Sequence, residues 1–92
     1  MDRYRTTRSA TITSTGTTPV VFPAGSAAVV YIRAAAGNSG TVTIGAAGKT
    51  GGLVLAAGEY MPPIGPIEDL SLLQYTFSVG SADQVEYLVL AP

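Results

Sequence analysis

Short runs rich in Val, Ile, Thr, Ala and Tyr, broken by Gly, Pro, Asn or Ser about every eight to twelve residues, follow one another along this 92-residue chain. No stretch shows a sustained period of 3.6 residues, so the pattern predicts an all-β fold. Seven or eight short strands with regular turns point to an antiparallel β-sandwich, jelly-roll-like in its wiring.

The strands are placed by period-two alternation. Residues 9–14 alternate Ala10 and Ile12 with Thr11 and Thr13, and residues 19–22 follow after Gly16, giving two short strands or one bent strand. Pro19 and Pro23 each remove a ladder donor, which assigns this segment to a sheet edge or a strand start. Residues 27–33 are apolar on both faces, Val30 and Ile32 against Val29 and Tyr31, and predict a central strand covered on both sides. After the turn signal Gly37, Asn38, Ser39 and Gly40, residues 41–45 turn Val42 and Ile44 inward, and the two runs read as a hairpin.

Residues 45–52 include Gly45, Gly48, Gly51 and Gly52 and predict an exposed, flexible loop. Residues 52–56 and 59–64 read as short strands around Ala57 and Gly58. Pro62, Pro63 and Pro66 stop the second from running on inside a sheet, so the chain is expected to cross between sheets there. Residues 72–79 place Leu73, Tyr75, Phe77 and Val79 on a core face and Gln74, Thr76 and Ser78 on a wet face. Ser81, Ala82 and Asp83 make a turn. Residues 84–90 then set Val85, Tyr87 and Val89 against Glu86, Leu88 and Leu90, so a second surface is expected to cover this strand. Near residues 67–72 Glu68 and Asp69 suit the start of a single helical turn.

Charge divides the chain into a basic arm, residues 1–8, and a single domain, residues 9–92. Arg3, Arg5 and Arg8 against Asp2 leave the first eight residues at +2, and the remaining two basic and five acidic side chains leave the rest at −3. The body offers only Arg33 and Lys49 as cations, too few for the basic stripe of a nucleic-acid binder. The longest apolar run, residues 27–32, is far too short for a membrane helix, and no apolar stretch follows the charged start as in a secretory signal. Synthesis and retention in a cytoplasm are expected, and the absence of Cys fits a reducing compartment.

Chains of this length bury only roughly 60–65 % of their unfolded surface and often gain stability from disulfides, metals or partners. Without Cys the first is excluded and without His the second is poorly supported, which leaves oligomerisation.

The same inventory argues against catalysis. Ser and Thr are abundant but there is no His to activate them, so no enzyme and no cofactor is expected. Gly48, Lys49 and Thr50 end like a phosphate-binding loop. That motif needs Gly where Thr43 stands and a following helix that Gly51 and Gly52 discourage, so a hairpin loop is the better account. Glu68 and Asp69 are adjacent carboxylates of the kind that bind calcium or act as acid and base, but no acidic loop surrounds them, and they read as a solvated turn. Five Tyr could form a sugar-stacking platform, although Tyr31, Tyr75 and Tyr87 also suit a core or a subunit interface and there is no Trp; carbohydrate binding stays open. Glu86 either meets an Arg of a neighbour or lies on a wet face. The arm is either a soluble chain end or, through Arg3, Tyr4, Arg5 and Arg8, an extension that docks on an acidic partner.

From about residue 28 to residue 90 the chain also carries Val42-Thr43-Ile44-Gly45, a Gly-rich loop, Leu55-Ala56-Ala57-Gly58-Glu59-Tyr60, and Asp69-Leu70-Ser71 ahead of an alternating strand pair. In these features it resembles the small all-β accessory virion proteins of tailed bacteriophages, among them capsid decoration or cement proteins and minor head or tail proteins. The resemblance implies a jelly-roll-like knob, often trimeric, bound to the major capsid protein where its subunits meet and stiffening the shell against the genome. It places the protein on the virion; on that hypothesis the arm reading makes Arg3, Tyr4, Arg5 and Arg8 the docking residues, and Arg33 and Glu86 are candidate intersubunit ions. The long acidic or proline-rich arm of some cement families is absent. A receptor- or glycan-binding module of a tail or fibre, suggested by the Tyr content and the Gly-rich loop, is the alternative, and a head-completion or tail protein is a close relative of the first function.

Overall fold

The alternation along the chain is realised as seven antiparallel strands in a computed structural model that describes residues 6–91. They are β1 (Thr6–Thr13), β2 (Val20–Val21), β3 (Val29–Ala34), β4 (Val42–Ala46), β5 (Leu53–Leu55), β6 (Leu73–Phe77) and β7 (Gln84–Ala91). One sheet has the order β1-β7-β3 and the other β2-β6-β4-β5. A 3-10 turn, Leu70–Leu72, precedes β6.

An extended segment, residues 59–67, runs along the remaining edge of β3. Val30 and Ile64 exchange both backbone hydrogen bonds, as do Ala27 and Ile67, and the Met61 N–H donates to the Ile32 carbonyl at 3.2 Å. Pro62, Pro63 and Pro66 have no N–H to give, so the expected strand at residues 59–64 reduces to isolated bridges. Counting this segment, the pairings nest: β1 with β7, β2 with β6, β3 with residues 59–67, and β4 with β5.

The inward side chains of both sheets meet in one core. Phe22, Val30, Ile32, Val42, Leu70, Val85 and Val89 are fully buried. Phe22 sits edge-on to Tyr75 and Tyr87, with ring centroids 5.0 and 5.5 Å away. Burial raises the Tyr75 hydroxyl above its ordinary value, with the neighbouring Tyr87 adding to the effect.

Several sequence expectations are corrected. The runs at residues 27–33 and 41–45 are not a hairpin: β3 lies in one sheet and β4 in the other, so Gly37 to Gly40 carries the chain across. Residues 78–83 cross in the opposite direction. The two crossings are tied together, because Asp83 accepts the Ser39 N–H at 2.9 Å through Oδ1 and the Gly40 N–H at 2.8 Å through Oδ2. Asn38 exchanges hydrogen bonds with the Gln84 backbone at 2.7 and 2.8 Å. The true hairpin is β4–β5, closed by the Gly-rich loop.

β3 lies between β7 and residues 59–67, as a central strand should, but Tyr31 on it is exposed, so that strand is covered on one face only. Thr6 is already in the ladder of β1, paired with Ala91, and Arg8 pairs with Val89. A boundary between arm and domain after residue 8 therefore falls inside a strand, and Thr6 to Arg8 belong to the sheet. Among the described residues no helix is long and apolar enough to cross a membrane.

Candidate functional site

Strand register builds a surface on the outer face of the three-stranded sheet. Odd-numbered residues of β1 and β3 and even-numbered residues of β7 point outward together, because the opposite parity of β3 and β7 fills the core and that of β1 packs Ile12 against it. One row across the sheet reads Thr11, Glu86, Arg33, and the bridge between Arg33 and Tyr60 extends it onto the neighbouring segment. The next row reads Ser9, Leu88, Tyr31. Between these rows lies an open groove of about 590 Å³, within the range of small-ligand sites.

Its chemistry is mixed. Tyr60 is 73 % exposed, Tyr31 42 % and Leu88 39 %, so two aromatic rings and an aliphatic side chain face solvent. Arg33 and Glu86 sit opposite one another on adjacent strands, and the Arg33 Nε donates to Glu86 Oε1 at 2.8 Å. Nη2 of the same guanidinium donates to the same oxygen. The two residues expected as ions between subunits are thus partners within one chain. Half-exposed pairs of this kind contribute little to stability, about 0–1 kcal/mol, but they fix the orientation of both side chains.

The remaining docking candidates are not gathered at this groove. Arg3, Tyr4 and Arg5 lie outside the described residues. Arg8 is exposed on β1 at an inward register position, and its guanidinium lies over Gly25, where a Cβ would come within 2.6 Å of Nη2.

The other sequence motifs are structural. The Gly48 N–H donates to Gln74 Oε1 at 3.0 Å, and Gln74 Nε2 donates to the Lys49 carbonyl at 2.7 Å, so the loop that ends like a phosphate cradle closes on a side chain of its own domain. Gln74, expected on a wet face, is buried at 6 % exposure. Asp69 caps the 3-10 turn: its Oδ1 accepts the Ser71 N–H at 3.0 Å and the Gly25 N–H at 3.2 Å. Among the described residues no three acidic side chains converge as a metal site would require.

Aliphatic side chains are exposed on the second sheet as well. Val20 and Val21 lie on β2 at one edge, and Leu53 and Val54 lie on β5 at the opposite edge.

Sequence reasoning missed Tyr60 as a site residue and grouped Tyr31 with the buried tyrosines. The parity was available: Tyr31 shares a face with Arg33, and Glu86 with Leu88, whereas Tyr75 and Tyr87 fall on the opposite, core parity. No family model, curated protein or solved structure matches the chain.

Proposed function

We propose that the protein is a non-enzymatic structural subunit that works inside a larger protein assembly, and that this assembly is a bacteriophage virion, where it decorates the capsid. The placement of the exposed aliphatic residues supports the first part. Val20 and Val21 on one edge and Leu53 and Val54 on the other edge of a single sheet form two apolar strips on opposite sides of a small domain. Unlike edges that pair head to tail between copies close into a ring when the rotation permits, and a ring of three is the oligomer the family resemblance implies. Strand edges left bare in a monomer also invite aggregation.

The nested strand pairing supports a jelly roll, the wiring obtained when one long antiparallel hairpin is rolled up, and jelly rolls serve both capsid and lectin domains. Fold alone does not give function, so the capsid assignment rests on the resemblance. On that assignment the basic arm, Arg3, Tyr4, Arg5 and Arg8, docks on the major capsid protein, and many weak contacts over the lattice supply avidity. A head-completion or tail subunit differs from this only in where the ring sits. A chain without His or Cys offers neither an imidazole base nor a thiol nucleophile, in keeping with a structural role.

Co-sedimentation with capsid shells lacking the protein tests the proposal. Unmodified protein is expected to pellet with shells, and Val21→Glu with Val54→Glu to abolish both self-association and pelleting. Failure of the unmodified protein to bind shells contradicts the capsid assignment.

A further inference from the structure

We infer that the groove on the outer face of the three-stranded sheet is a binding site for a neutral oligosaccharide, stacked on Tyr31 and Tyr60 and hydrogen-bonded by the Arg33–Glu86 pair. This goes beyond the assembly function and does not depend on it, since the aliphatic edges lie on the other sheet.

Four observations converge on that ligand class. The first is aromatic exposure. Tyr75 and Tyr87 are core residues, whereas Tyr31 and Tyr60 contribute nothing to the core and present their rings beside the same groove. Exposed Tyr rings stack on the apolar C–H face of a pyranose, and their hydroxyls remain available to its polar rim.

The second is the way the ion pair is made. Nε and Nη2 of Arg33 both donate to Oε1 of Glu86. Among the described residues Glu86 Oε2 receives no hydrogen bond and Arg33 Nη1 gives none. The second carboxylate oxygen and the third guanidinium nitrogen are therefore left for other partners, while the pairing holds both side chains at the groove. Sugar hydroxyls, each able to donate and to accept, can serve both.

The third is charge. Arg33 and Glu86 cancel within the groove, and the other lining residues are uncharged, either hydroxyl-bearing, such as Ser9 and Thr11, or apolar, such as Met61 and Leu88. An anionic ligand would meet Glu86 and a cationic one Arg33. A wholly apolar ligand would cover the ion pair without replacing its water, at a desolvation cost. A neutral polyol with one apolar face avoids all three conflicts.

The fourth is size and shape. A groove of about 590 Å³, open to solvent on the outer face of the sheet, has room for more than one sugar ring.

An array of neutral and acidic glycans identifies binders, and titration of the isotope-labelled 92-residue chain with the corresponding free trisaccharide then maps them by NMR. The expected result is binding to neutral glycans only, with saturable shifts at the amides of Tyr31, Arg33, Tyr60 and Leu88. Tyr60→Ala, at a mostly exposed position, retains the wild-type spectrum elsewhere and weakens binding roughly tenfold. Glu86→Ala weakens it similarly, and Val54→Ser on the other sheet leaves it unchanged. An array without hits, hits confined to anionic glycans, or binding that survives Tyr60→Ala and Tyr31→Ala together would overturn the inference. A negative array leaves the assembly function untouched, because that is read from self-association and shell binding.

Discussion

Gln74 holds Gly48: the side-chain Oε1 of a strand residue accepts the N–H of a loop residue 26 positions earlier at 3.0 Å, while its Nε2 donates to the carbonyl of Lys49 at 2.7 Å. The loop between β4 and β5 is thereby folded over the outer face of its own sheet. Gln74→Ala removes both bonds and uncovers the strand. A loss of roughly 1–2 kcal/mol is expected in urea unfolding, the lower part of the range for unmade bonds because the loop can turn to water. Amide exchange at Gly48 should accelerate in the same variant, and an unchanged exchange rate would refute the pinning.

The same loop depends on backbone approach. A Cβ on Gly52 would run into the Ile44 carbonyl oxygen, and φ there is +142°. Gly52→Ala should cost about 2 kcal/mol or more, strain and clash together. Gly37 has open space where a Cβ would go, so Gly37→Ala should leave stability unchanged or raise it by up to about 1 kcal/mol. Urea midpoints of the two variants measured side by side check the contrast.

Phe22 is the largest fully buried side chain among the described residues. It has no exposed surface and contacts Tyr75 and Tyr87 edge-on from the end of β2. Phe22→Ala is expected to cost about 3–5 kcal/mol, a large part of the roughly 5–15 kcal/mol that holds a domain together. Thermal unfolding followed by far-ultraviolet circular dichroism should show a much lower midpoint. A midpoint near that of the unmodified protein would mean that the two sheets do not close on this ring.

Asp83 and Asp69 make the fold sensitive to acid. The Ser39 N–H is the main reason the Asp83 carboxyl lies below its ordinary value of 3.8, and the Ser71 N–H is the main reason for Asp69. Because both folded-state values are depressed, their stabilisation is complete above the ordinary value and is lost as pH falls through the folded-state values below it. Urea midpoints should hold between about pH 7 and pH 5 and fall below about pH 4. The double variant Asp69→Asn with Asp83→Asn should be less stable near neutrality and show a shallower fall. An acid fall as steep as in the unmodified protein would exclude these two carboxylates as its cause.

Much of this fold was legible because parity is local. Leu73, Tyr75 and Phe77 on β6 and Val85, Tyr87 and Val89 on β7 declare their core faces within a few residues. Strand partners were not legible. The signals at residues 37–40 and 81–83 are those of hairpins, and what turns them into crossings is a bond between them, Asp83 to Ser39 and Gly40, which no local pattern encodes. Gln74 sits at a polar position of an alternating strand and is buried only because a distant loop returns over it. The groove had the same obstacle: Arg33 and Glu86 were each visible, but only the register of β3 on β7 makes them partners, and only the bridge at Arg33 brings Tyr60 to them.

A subunit with bare aliphatic strips on both edges of one sheet should not exist alone in solution. Light scattering of the purified 92-residue chain over a range of concentrations reads this directly. A whole multiple of the 9.4 kDa chain mass, three copies for a closed ring, is the expected result. A mass of 9.4 kDa that does not change with concentration would contradict it.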